Sequence, residues 1–339
     1  MEMHDINAVL SSSFQNHENP AAYTAEAIRY VQEDVSVLVV GAGGLGCEIL
    51  KCLALSGFRR ITVVDMDTID VSNLNRQFLF ARADVGRPKA EVAASCINAR
   101  CGHLGVKVES VVCKLQDLEL GFYSKFSIII AGLDNIEARR WLNSTLFSLV
   151  RRDATGVVDQ SSLPFFLDGG TEGLKGQARV IIPTLTACFE CTIGTFPPVT
   201  TYPLCTIAET PRLPEHCVEY ASTVLFPRAH PGVEFDPDDA NHVSHVFEQA
   251  SSRAAFFGIE GVTLSFARGV LKRIIPAVAS TNALIAGVLV NEAFKIATYA
   301  APVLNNYYMY MGDIGINGLV IAYEKNPDCL VCNSLIPIP

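Results

Sequence analysis

The chain has 339 residues, half of them hydrophobic, with 26 basic against 35 acidic side chains and a formal charge of -9. That length can bury a large core and suggests about two domains. The acidic balance argues against nucleic acid or an anionic membrane as the main partner, and suits protein partners better.

The amino terminus shows no signal-peptide pattern, and the 11 cysteines of such a chain read as thiols, metal ligands or nucleophiles rather than a disulfide framework. Cytosol or nucleus is the expected compartment. Residues 1–34 read as a polar N-terminal arm with a short helix over 21–30. A buried-strand run follows over 35–40, then a glycine turn, then an apolar-periodic helix over 47–56. Gly41, Gly43 and Gly46, with Gly44 in the same turn, fit the dinucleotide fingerprint. Such a turn lets backbone amides approach a phosphate at a helix N-terminus. A second strand over 61–64 ends on Asp65, the acid that this fingerprint requires about twenty residues on.

The next residues separate ATP from NAD. A helix N-terminus largely handles the two phosphates of a dinucleotide, whereas a triphosphate attacked at its α-phosphorus develops more charge. Asp67, Asn73, Arg76, Gln77 and Lys89 follow in quick succession. Arg76 and Lys89 could supply charge and Asn73 and Gln77 hydrogen bonds; the plainer reading makes Arg76 and Lys89 solvated surface charges.

From Lys89 a helix is expected to about 98, with Pro88 in its first turn. A strand over 106–112, a strand over 127–131 ending at Gly132-Leu133-Asp134, and a helix over 135–151 complete an alternation. Such alternation predicts an α/β, Rossmann-like domain with a mainly parallel sheet and ligands at the carboxyl ends of its strands. Asp65 and Asp134 lie at such ends. Asp65 would take ribose hydroxyls; Asp134 would either hold Mg²⁺ against a triphosphate or cap the following helix. Strands over 165–167 and 178–182 are joined by a glycine-rich turn over 168–173, which serves a ligand or a plain hairpin.

Cys188-x-x-Cys191 and Cys329-x-x-Cys332 have the chemistry of a four-thiolate structural zinc site, although one CxxC could equally be a redox pair. Cys205 and Cys217 compete as nucleophile, and His216 beside Cys217 locally favours the latter. Cys47, Cys52, Cys96, Cys101 and Cys113 read as buried small hydrophobes. Residues 202–266 break the α/β rhythm with proline-rich turns, an acidic cluster over 234–239 and a helix over 241–257. The apolar stretch over 274–297 is interrupted by Pro276, Ser280, Thr281, Asn282, Asn291 and Glu292, so it reads as a core helix rather than a membrane span. A last hairpin over 305–322 leads to the second CxxC.

Three motifs, GAGGLGCE at 41–48, DMDTIDVSNLNRQFLF at 65–80 and GRPKAEVA at 86–93, together resemble the adenylation domain of ubiquitin-like-protein activating enzymes. That family includes the molybdopterin and thiamine sulfur-carrier activators. GLDN at 132–135, PLCTIAETPRLPEHCVEY at 203–220 and KRIIPAVASTNA at 272–283 resemble the catalytic subunits for Nedd/Rub-type modifiers within it. The likeness runs from about 35 to 332.

This resemblance implies ATP·Mg²⁺ at the glycine turn, adenylation of a modifier's C-terminal carboxylate, and a thioester on Cys205, the cysteine of the family's Pro-x-Cys-Thr-Ile motif. It gives Asp134 a metal or nucleotide contact and makes Cys217 structural. It places Arg179 where it disfavours ubiquitin by like-charge repulsion. It divides the chain into adenylation segments at 35–201 and 271–339 around a catalytic-cysteine insert at 202–270. It further implies a heterodimer with an inactive, adenylation-like regulatory subunit and transfer to a conjugating enzyme. Such subunits normally continue into a ubiquitin-fold domain, which is expected to be absent from this chain. Three other readings compete: a sulfur-carrier activator, a nicotinamide dehydrogenase sharing only 41–65, and a non-catalytic scaffold subunit.

Overall fold

The computed structural model describes residues 29–196, 204–237, 239–271, 277–298, 304–315 and 317–333. The chain forms two compact units, one of Met1–Thr195 with Ala277–Pro339 and one of Phe196–Pro276. The inserted unit is thus wider than the expected 202–270 by six residues at each end.

The larger unit is built on one eight-stranded sheet. Its elements in order are β1 (Ser36–Val40), α1 (Gly44–Leu55), β2 (Arg60–Val64), α2 (Lys89–Cys101), β3 (Lys107–Val111), β4 (Ile128–Ala131), α3 (Ile136–Ser148), β5 (Phe165–Glu172) and β6 (Lys175–Ile181). The sheet order is β3-β2-β1-β4-β5-β6-β7-β8, with β7 (Tyr307–Met311) and β8 (Gly318–Ile321) following the insert. Pairings from β3 to β5 are parallel and those from β5 to β8 antiparallel. β1 and β4 are buried along their whole length, as parallel strands covered on both faces must be. The return helix, Ala279–Thr298, packs on α1, β5 and β6 and contributes Ile285, Ala286, Leu289 and Val290 to the core. No helix among the described residues is long and apolar enough to cross a membrane.

Several boundaries differ from expectation for local physical reasons. α1 begins at Gly44 rather than 47, since Gly44 and Gly46 belong to its first turn. A Cβ on Gly46 would overlap the carbonyl oxygen of Gly41, so the helix can approach β1 this closely only with glycine there. Pro88 is the extended N-cap of α2, not a residue of its first turn. Of the expected glycine turn over 168–173, residues 168–172 are strand, since β5 runs to Glu172, and only Gly173, with φ +56°, lies in the tight turn to β6. The glycines of β5 make room for neighbours, a Cβ on Gly169 falling 2.5 Å from Leu289 Cδ1 and one on Gly170 2.9 Å from the Arg139 guanidinium.

The smaller unit is helical, with α4 (Leu204–Glu209), α5 (Pro214–Tyr220), α6 (Ala240–Phe257) and α7 (Leu264–Leu271); the return helix is α8. Cys217, Val218, Phe226, Val246 and Ala250 are buried in its own core. The proline-rich turns read from the sequence are in part the short helices α4 and α5, with Pro214 at the start of α5. The described part of the N-terminal arm ends in one turn, Tyr30–Asp34, with Val31 buried.

Candidate functional site

The strand order reverses direction between β1 and β4, and their carboxyl ends open the crevice where open α/β sheets bind ligands. Gly41 leaves β1 with φ +95° and donates to Val64 O at 2.8 Å. Gly132 leaves β4 and donates to Val40 O at 2.9 Å. The two turns touch closely: a Cβ on Gly41 would lie 2.9 Å from Gly132 O. Asp65, at the end of β2, ties the crevice together. Its Oδ2 accepts from Ala42 N at 2.6 Å, inside the glycine turn, and its Oδ1 from Asp67 N at 2.8 Å. Burial raises its pKa, opposed by these two amides.

The polar residues after Asp65 gather on the same crevice. Lys89, 8 % exposed, donates to Asp67 Oδ2 at 2.7 Å, so it is not the solvated surface charge of the plainer reading. Arg76 donates to Ser72 O and to Asn75 Oδ1, and its Cγ lies 3.3 Å from where a Gly44 Cβ would be. Asn73 Oδ1 accepts from Asp70 N in a reciprocal capping box that shapes this loop. Gln77 is buried with Oε1 unpartnered among the described residues, and its Nε2 approaches Gly43. Asp134 is exposed, two residues beyond Gly132, and the cap of α3 is Asn135, whose Oδ1 accepts from Ala138 N. The structure thus brings together Gly41, Gly43, Gly44, Gly46, Asp65, Asp67, Arg76, Gln77 and Lys89, with Asp134 on the adjoining turn.

Arg139, Asp168 and Asn282 belong to the same neighbourhood and were not singled out for a role from the sequence. Arg139 donates to Leu133 O, to Asp168 Oδ2 at 3.2 Å and to Gly169 O at 2.8 Å. Burial lowers its pKa while Asp168 works the other way. The signal available was weak: a polar residue inside a core element, with its partner some thirty residues away. Arg179, on β6, is not an exposed side chain at the end of a strand. It is 2 % exposed, donates to Asp168 Oδ2 at 2.9 Å, to Gln177 and to Thr195, and sits over the rings of Phe189 and Tyr307.

The four sulfurs of Cys188, Cys191, Cys329 and Cys332 lie within 4.8 Å of one another. Neighbouring sulfurs are 3.7 Å apart in Cys188–Cys191, 3.6 Å in Cys188–Cys329 and 3.4 Å in Cys191–Cys332. Tetrahedral zinc with bonds near 2.3 Å separates its sulfurs by about 3.8 Å, so this set can hold the ion. Asn326 N donates to Cys191 Sγ at 3.4 Å. Burial works against ionisation of Cys329, yet the amides of Cys332 and Val331 bring its pKa below the ordinary value.

In the smaller unit, Cys205 falls on α4, but its side chain lies outside the described residues, as do Tyr202, Pro203 and the 272–276 part of KRIIPAVASTNA. Arg253 of α6 donates to Ile207 O and Ala208 O at the end of α4, and stacks on Tyr220 and Phe257. Cys217 is fully buried, its thiol raised by that burial, and His216 Nδ1 accepts from Arg212 N. These placements suit a structural thiol rather than a nucleophile. Cys47 and Cys101 are buried as expected, whereas Cys52, Cys96 and Cys113 are only half-buried.

A Rossmann-like sheet with this glycine turn, acid and lysine defines a nucleotide-binding adenylation fold, and the chain belongs to the ThiF family, whose model matches residues 22–331. More narrowly, it is 51 % identical over 309 residues to the NEDD8-activating enzyme E1 catalytic subunit of Dictyostelium discoideum, covering 90 % of this chain and 70 % of that protein. Identity to the protein of the same name from Caenorhabditis elegans is 53 % over 303 residues, covering 89 % and 70 %. The crystal structure of E. coli MccB with ATP has the same fold, with a TM-score of 0.55 at 16 % identity, over 91 % of this chain and 70 % of that one.

Proposed function

We propose that the chain is the catalytic subunit of a ubiquitin-like modifier activating enzyme of the NEDD8 type. Its carrying observation is the meeting of the glycine turn, Asp65 and Lys89 at the β1/β4 switch point, in a chain half-identical to curated subunits of that name. The residues fit a triphosphate: amides at the start of α1, a buried lysine charge, and the Gln77 side-chain amide, whose Nε2 lies beside Gly43.

In this reading ATP lies with its ribose toward Asp65 and its phosphates toward Gly41–Gly46, Arg76 and Lys89. The modifier's C-terminal carboxylate oxygen attacks the α-phosphorus, the bond to the β-phosphate oxygen breaks, and pyrophosphate leaves. Arg76 and Lys89 stabilise the charge that develops, while Asn73 and Gln77 orient the group. Asp134 would hold Mg²⁺, which supplies charge neutralisation when bound. The Cys205 thiol then loses its proton to solvent or a base, its sulfur bonds to the acyl carbon, and AMP departs. The acyl group finally passes to a conjugating enzyme's cysteine. Zinc held by Cys188, Cys191, Cys329 and Cys332 would tie the end of the chain to the segment after β6.

We further propose a regulatory partner with an adenylation-like fold, and residence in the cytosol or nucleus. Any discrimination against ubiquitin by Arg179 acts from within its ion pair with Asp168, so Arg179→Gln, which removes the pair along with the charge, is expected to relax selectivity and to cost stability as well.

Modifier-dependent ATP–pyrophosphate exchange tests the site. Lys89→Ala and Asp134→Ala are expected to lose exchange, and Cys205→Ala to retain it. Exchange at the wild-type rate in all three would overturn the assignments.

A further inference from the structure

Asn282 lies in the first turn of α8 and is 1 % exposed. The Thr171 hydroxyl donates to its Oδ1 at 2.7 Å, which fixes the amide and leaves Nδ2 unpartnered among the described residues. That nitrogen is aimed at the amino end of α1: a Cβ on Gly44 would stand 2.5 Å from it, and the same Cβ would stand 3.3 Å from Arg76 Cγ. The neighbouring Thr281 hydroxyl donates to Gly173 O at 2.9 Å. The start of α8 is therefore pinned to the β5–β6 hairpin on one side and abuts the glycine turn on the other.

A buried amide donor without an acceptor is rare in native structures and costly to keep. At this position it faces the helix end that favours anions and a loop arginine that does the same. An arriving ligand oxygen would complete the amide without moving the Thr171 bond.

We infer that Asn282 is a further substrate-binding residue: its Nδ2 donates to an anionic oxygen where the nucleotide's phosphate meets the carboxylate that attacks it. This rests on the adenylation reading above. Both the phosphate and the carboxylate offer such an oxygen, and two measurements separate them.

The test uses the full chain with its activating partner. Asn282→Asp keeps the shape and the acceptor for Thr171 but has no N–H and faces an anion with an anion. ATP binding by calorimetry is expected to weaken on the order of tenfold or more if the phosphate is the acceptor. If it is the carboxylate, ATP binding holds and kcat/KM for the modifier in pyrophosphate exchange falls by a similar factor. Thr171→Val, which removes only the tie, is expected to change either quantity less than threefold, roughly the weaker end of a neutral hydrogen bond. Should Asn282→Asp melt early, Asn282→Ala carries the same comparison without a buried charge. Variants that bind ATP and exchange as the wild type does, or a Thr171→Val loss equal to that of Asn282→Asp, would overturn the inference alone. A wild-type chain that bound no ATP would overturn the adenylation reading and this inference with it.

Discussion

Arg139 donates from Nε to the carbonyl oxygen of Leu133 at 3.1 Å, and so holds the backbone one residue before Asp134. The same guanidinium reaches Asp168 and Gly169 on β5. The turn that presents Asp134 is thereby locked to the neighbouring strand rather than left as a free loop. Lysine keeps the charge but cannot span three acceptors with a planar fork. Arg139→Lys is expected to raise the Mg²⁺ needed for half-maximal pyrophosphate exchange by about tenfold, a hydrogen-bond-sized effect on positioning. A Mg²⁺ titration checks it; an unchanged midpoint with only a lower melting temperature would leave Arg139 a purely structural residue.

The close approach of α1 to β1 gives a second expectation. Gly46→Ala drives a methyl group into the Gly41 carbonyl, and neither backbone can yield without opening the glycine turn. Overpacking of this kind costs about 1–3 kcal/mol, so the urea midpoint should fall and ATP binding should be lost. Gly86→Ala is the control for the turn's chemistry, because a Cβ there meets nothing within 4 Å although φ is +89°; it should cost stability without abolishing binding.

Metal content follows from the cysteine cluster. One zinc per chain is expected by atomic absorption, with release on chelation loosening the segment after Asn326, whose amide donates to Cys191. Cys329→Ser should lower zinc content and raise protease sensitivity near the chain's end. Zinc-free protein with unchanged protease resistance would contradict the assignment.

Alkaline stability should report on Cys47. Burial pushes its thiol from 9.0 up to about 12, and its Sγ donates to Ala42 O inside the glycine turn. A raised native pKa means the fold holds the proton. Its stabilising contribution is complete below about pH 9, the value of the unfolded thiol, and is lost as the pH climbs toward 12. Urea midpoints measured from pH 8 to pH 11 should therefore fall more steeply for the wild type than for Cys47→Ala.

Much of this architecture is legible in the residues because its signals are local. The strands around Val39 and Ile130 are continuous apolar runs, the glycines of 41–46 mark a turn with an acid at Asp65 beyond it, and paired CxxC spacings bring thiolates together. What stayed hidden depends on tertiary placement. Gly169 and Gly170 read as a turn because glycine spacing alone does not distinguish a bend from a strand pressed against Leu289 and Arg139. The burial of Arg179 comes from Asp168, Phe189 and Tyr307, which no periodicity brings together. Asn282 was visible only as a polar interruption in an apolar helix; its unpartnered amide emerges once Thr171 takes the other half.

The most direct measurement is a non-reducing gel of the chain with its regulatory partner, ATP, Mg²⁺ and labelled modifier of the NEDD8 type, with ubiquitin in a parallel lane. A reducible adduct that forms with the NEDD8-type modifier and disappears in Cys205→Ala is the predicted result. ATP binding without an adduct to either modifier, with the partner present, would contradict the account and favour a scaffold subunit or a sulfur-carrier activator.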